Sequence, residues 1–259
     1  DREYFYKGVQ GSVAFMNFLQ SLSGLNSLNE DEFREMWKEV FQIKPVTNPE
    51  LLSSPWFYYY VQNYLKYNEL IVESTNVETL RGFRKQGLVH TNNIKNAKKY
   101  LTDSVLEYYY AAYIYYEAIN KNYEKELISL FEQFKKEYPS SEYTQFLEPE
   151  IIPIIAFQRK EGEPFNEKIK FINDSGNFNS FKDVAEVLKG KRIYVDVWAT
   201  WCRACKIEFK NNAELNELLK SKDVTLLYLS VDKEDRAKQW RDMINYYNLE
   251  GYHIRVNEK

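Results

Sequence analysis

Two cysteines, the only ones in a 259-residue chain, stand three positions apart in Val195-Asp-Val-Trp-Ala-Thr-Trp-Cys202-Arg-Ala-Cys205-Lys-Ile-Glu208, directly after a strand-like run. If residues from 202 onward are helical, the two sulfurs lie on one face, one turn apart. Cys202 then occupies the helix N-terminus, where unpaired N–H groups and the helix dipole favour an anion. The thiolate is the attacking species, and in such settings its pKa falls from about 8.5 to roughly 3.5–7.5. On this geometry Cys202 is the nucleophile, and Cys205, one turn in and less exposed, resolves the mixed disulfide. Three other readings compete. A structural zinc site needs about four ligands, and the remaining donors, His90 and His253, lack paired ligand spacing. A purely structural Cys202–Cys205 bond closes too short a loop to remove much denatured-state entropy. Two inert buried thiols are the third, and the aromatic-rich strand leading into the pair weighs against that coincidence.

The strand must position the pair. In Arg192–Trp198, Ile193, Val195 and Val197 form one face and Tyr194, Asp196 and Trp198 the other. Asp196 is either an exposed polar residue of an alternating strand or, on a strand buried on both faces, a costly carboxyl with a proton-moving role.

Trp198, Ala199, Thr200, Trp201, Cys202 and Cys205 match the Trp-Ala-Thr-Trp-Cys-x-x-Cys signature of the TlpA/ResA-like thiol-disulfide oxidoreductases, and the chain resembles that AhpC/TSA-related branch of the thioredoxin superfamily. The resemblance implies exchange of a Cys-x-x-Cys dithiol with the thiols and disulfides of proteins. Cys202, Cys205 and Asp196 are then catalytic, and Trp198, Trp201, Arg203 and Ala204 form the substrate-site surface. Lys206 and Glu208 fall on commonly occupied positions. No cofactor and no metal are implied, an upstream thiol reductant or oxidant is, and the setting is a bacterial periplasm, with room for a lipid anchor on a residue outside this sequence. The departures are Ala204 where most relatives carry proline, Lys210 in place of a proline of the active-site helix, and the absence of any proline after the cysteines, so that the family's cis-proline is missing.

Around the pair the sequence predicts a strand over 167–172, a turn at 174–177, a helix over 181–188, the strand 192–198, a helix from 202 to about 219, a strand over 224–231, a helix over 234–247 and a short strand over 252–256. This is the βαβα order of a parallel sheet. Set against the resemblance, it stops before the cis-proline loop, two further strands and the last helix. The expectation is an incomplete thioredoxin-like domain over 166–259, in a fragment or an unusual truncation. Its central strand would then have an open apolar edge, inviting association with another chain or a strand borrowed from the helical half.

Residues 1–157 are read as an all-α domain, joined by a linker over 158–165, Gln158-Arg-Lys-Glu-Gly-Glu-Pro164 marking the boundary. Apolar residues recur at helical spacing, as in Leu101, Val105, Leu106, Tyr109, Ala112, Tyr113, Tyr116 and Ile119. Helices are predicted over 3–22, 30–41 (with an N-cap at Asn29), 55–74, 77–87, 97–120, 123–138 and 150–157. The tyrosine clusters at 58–60 and 108–116 read as core packing with hydroxyls at the rim, an exposed ligand platform being the alternative. Arg81–Lys99 reads as a solvated basic face. A net charge of −3 gives no electrostatic case for nucleic acid. No stretch has the length of a membrane helix, and no signal-like core opens the chain. The scattered glycines form no nucleotide loop. A second function remains open, a helical partner-binding protein with a vestigial or regulatory redox domain.

Overall fold

The computed structural model describes residues 49–54, 56–172 and 180–256, with positions 35, 38, 41 and 46 besides. The helix predicted over 3–22, most of that over 30–41, and the turn at 174–177 lie outside the described residues. The chain divides into two compact units, residues 1–116 with 126–150, and residues 117–125 with 151–259. The second unit is therefore discontinuous in sequence.

The described residues as far as Arg159 are helical. A tight turn over Pro49–Ser53 precedes α1 (Phe57–Tyr67), which widens into a looser turn over Asn68–Val72; α2 (Val77–Gln86), α3 (Val89–Tyr100), α4 (Asp103–Ile119), α5 (Glu126–Glu137) and α6 (Thr144–Arg159) follow. The side chain of Asn76 accepts the Thr79 N–H to open α2, and Gly87 closes it in the left-handed conformation at φ 66°. The helix predicted from Ala97 is in fact two. Leu101 is extended between them, and Asp103 takes a positive φ. The last helix starts at Thr144 rather than Glu150 and runs through Pro149 and Pro153. Each proline forfeits a backbone bond, offset by burial of Leu147, Ile151, Ile154 and Phe157. Tyr58, Tyr60, Tyr109, Tyr110 and Tyr113 are buried, and Tyr58 stacks on Tyr116 with centroids 4.4 Å apart.

The second unit carries β1 (Ile169–Phe171), α7 (Phe181–Val187), β2 (Arg192–Trp198), α8 (Arg203–Glu208), α9 (Asn212–Ser221), β3 (Val224–Ser230), α10 (Ala237–Tyr247) and β4 (Gly251–Arg255). Ser180 opens α7, its N–H donating to the Asp183 carboxylate at 2.9 Å. The four strands form one parallel sheet in the order β1-β4-β3-β2. On one face Ile193, Val195, Leu227, Leu229 and Ile254 pack with Val184 and Leu188. On the other, the register lines up Asp196, Tyr228, His253 and Phe171 in one row across all four strands. Within it the Tyr228 and His253 rings stack 4.9 Å apart at 6°. Gly251 opens β4 at φ 147°, where a Cβ would meet the Leu226 carbonyl at 2.9 Å, so glycine is required there.

Among the described residues β2 has a strand neighbour on one side only. Tyr194 and Val197 are 45% and 53% exposed. The strand is thus not buried on both faces, as the reading of Asp196 supposed, because Tyr194 on one face and Val197 on the other both reach solvent.

Candidate active site

The strand β2 delivers the chain to the site at Trp198, whose indole is 1% exposed and meets Phe209 edge-on at 5.2 Å. Trp198 supports the site from within and forms none of its surface, contrary to the sequence reading, because its face of β2 packs against Phe209 just beyond α8. Trp201 is 59% exposed, and Arg203 and Ala204 are also open to solvent.

Cys202 is the N-cap of α8. Its N–H donates to the Ala199 carbonyl at 3.0 Å, and its own carbonyl accepts the Lys206 N–H at 3.2 Å. The sulfur accepts the N–H of Cys205 at 3.2 Å. The two cysteines are half-buried and joined in a disulfide, with Cα atoms 5.4 Å apart. In the reduced protein that same N–H would stabilise a thiolate on Cys202. Asp196, two residues before Trp198 and level with Tyr228, is half-buried, and burial pushes its carboxyl above the usual carboxylate range.

A second polar cluster, not foreseen in the sequence, surrounds Thr200. The Asp232 carboxylate accepts the Thr200 N–H at 2.8 Å and its hydroxyl at 2.7 Å. Ser230 adds its hydroxyl at 2.9 Å. Lys206 is 2% exposed, and its ammonium donates to the Thr200 carbonyl at 2.6 Å and to Asn122 Oδ1 at 3.3 Å. Burial, with the like charges of Arg236 and Lys121 added and Glu124 and Asp232 opposing, brings its pKa down to about 8. Residues 117–125 reach the pair elsewhere too, since Arg203 Nε donates to the Ile119 carbonyl at 2.9 Å. Tyr123 stacks on Phe157 at 4.8 Å and meets Tyr246 at 5.1 Å. The available signals were Thr200 in the matched motif and an aspartate just past the end of β3; nothing local marked Asn122.

Residues 162–256 match the Redoxin family model. The C-terminal region is thus similar to the redoxin domains of the thioredoxin superfamily. This region is 36% identical over 62 residues to the thiol-disulfide oxidoreductase ResA of Bacillus thuringiensis (strain Al Hakam) and to that of Bacillus anthracis, and 32% identical over 62 residues to a ResA of Bacillus cereus. Each match covers 24% of this chain and 35% of the relative. The chain thus spans about a third of the length of the curated relatives it matches. No solved structure matches it significantly.

Proposed function

We propose that the chain is a thiol-disulfide oxidoreductase acting on proteins, with Cys202 as nucleophile, Cys205 as resolving thiol and Asp196 as proton carrier. The observation that carries the reading is the placement of Cys202 at the cap of α8, at the end of a parallel strand, with the Cys205 N–H directed at its sulfur. In the reducing direction the Cys202 thiolate attacks one sulfur of a substrate disulfide, and the other leaves and takes up a proton. Cys205 gives up its proton and attacks the Cys202 sulfur, releasing the second substrate thiol and leaving the Cys202–Cys205 bond. Two electrons pass to the substrate, and an upstream thiol donor returns them. Trp201 and Ala204 supply the exposed surface a partner meets. The resemblance favours an extracytoplasmic setting; among the described residues no helix is long and apolar enough to cross a membrane.

The test is alkylation of the reduced protein at neutral pH. Cys202 should react about tenfold faster than Cys205 or more, and Cys205→Ser should accumulate mixed disulfides at Cys202. Equal, slow labelling of both thiols would defeat the assignment, and trapping that requires loss of Cys202 would reverse the roles.

A further inference from the structure

We propose that Lys206, Asp232 and Asn122 are positioning residues of the redox site, clamping Thr200 so that the turn before Cys202 holds its sulfur in one orientation, and that residues 119–124 thereby belong to the site. The inference rests on the thiol-exchange reading and extends it beyond the cysteines.

Thr200 is held at each of its polar atoms. Asp232 takes its N–H and hydroxyl, and Lys206 donates to its carbonyl. Only Trp201 separates it from Cys202. Lys206 also brackets Cys202 from the other side, because its backbone N–H donates to the Cys202 carbonyl. One residue thus ties down the carbonyls of both 200 and 202, and the turn between them cannot rotate without breaking both bonds. The clamp closes through residues from other elements. Asn122 accepts from Lys206 and, through its backbone carbonyl, from Gln239 Nε2 at 3.1 Å. Gln239 accepts from Arg236 at 3.0 Å, and Arg236 lies 3.5 Å from the Thr200 hydroxyl. Burying an ammonium and a carboxylate this deeply costs free energy unless each is held by partners, and the partners here converge on one turn.

An ordered turn raises the effective concentration of one sulfur at the other. The clamp therefore favours closure of the Cys202–Cys205 bond and shortens the life of mixed disulfides. Two substitutions loosen it without changing charge. Thr200→Val removes the hydroxyl at nearly constant shape, and Asn122→Ala removes the outer partner of Lys206.

The experiment equilibrates the full chain and each variant with reduced and oxidised glutathione and reads the equilibrium constant for closing the pair. Far-UV circular dichroism reports the fold. Thr200→Val should lower the constant about fivefold and Asn122→Ala about threefold, from the loss of the hydrogen bonds that each side chain makes in the clamp. Thr200→Ser, which keeps the hydroxyl, should stay within about twofold of the parent, and mixed disulfides with glutathione should persist longer in the two weakened variants. Folded Thr200→Val and Asn122→Ala proteins with the parental constant would overturn the clamp. A shift in Thr200→Val alone would remove residues 119–124 from the site. Should Thr200→Val fail to fold, Asn122→Ala decides by the same readout. A parent pair that does not exchange with glutathione overturns the thiol-exchange reading and the clamp with it, whereas a parent that exchanges isolates the clamp.

Discussion

Asp196 is a half-buried carboxyl on β2 whose pKa is raised by burial. Its native form binds protons at a higher pH than its unfolded form, so its ionisation opposes folding once the pH exceeds the ordinary value of 3.8. Asp196→Asn should therefore leave stability at pH 7 unchanged or slightly raised. If Asp196 carries the Cys205 proton, the same variant should slow release of the mixed disulfide, and the defect should shrink as rising pH ionises Cys205 unaided. Stopped-flow decay of a mixed disulfide across pH 6–9 measures this, and a pH–rate profile identical to the parent's would return Asp196 to a structural role. The cysteine pair and the place of Asp196 on β2 were legible because their signals are local, a spacing of three and an alternation of two. Thr200 meets Asp232 across 32 residues, and Lys206 meets Asn122 across 84. Such pairs are made by parallel crossovers and by a segment from between helices, and no window of sequence displays them.

At the scale of elements, β2 was read to its observed bounds because a strand ending at a Cys-x-x-Cys turn has punctuation on both sides. The break between α3 and α4 was missed for the opposite reason. Neither glycine nor proline marks Leu101–Asp103, and the buried stripe of α3 is thin, with His90 standing among Ile94 and Ala97. The row across the sheet makes a prediction of its own. His253 is fully buried, its Nε2 donates to the Leu249 carbonyl at 2.7 Å, and burial lowers its pKa to about 4. The unfolded chain takes up this proton near the ordinary value of 6.5, while the folded chain does so only near 4. The stabilisation is complete above about pH 6.5 and is lost as pH falls towards 4, on the order of 3 kcal/mol. Urea midpoints at pH 7 and 4.5 should fall further apart in the parent than in His253→Gln, which does not titrate there. Equal acid sensitivity would place the titration elsewhere.

At the scale of the whole molecule, composition indicated packed cores, and periodicity separated a helical stretch from a βαβα stretch. The interleaving of the two units was not legible, because residues 117–125 look like any connection between two helices until Tyr123 is seen against Phe157 and Tyr246. The chain passes between its units at 116/117, 125/126 and 150/151. A protease nick anywhere in 126–150 therefore yields two fragments, each with a share in both units. After such a nick the pieces should co-elute on native size exclusion and separate only under denaturing electrophoresis; elution as two independent species would contradict the interleaving. No single backbone connection is then what joins the redox unit to the rest of the chain. Like a lacing drawn through both halves, the chain order resists parting at any one scission, and freeing either unit intact takes a cut at every crossing.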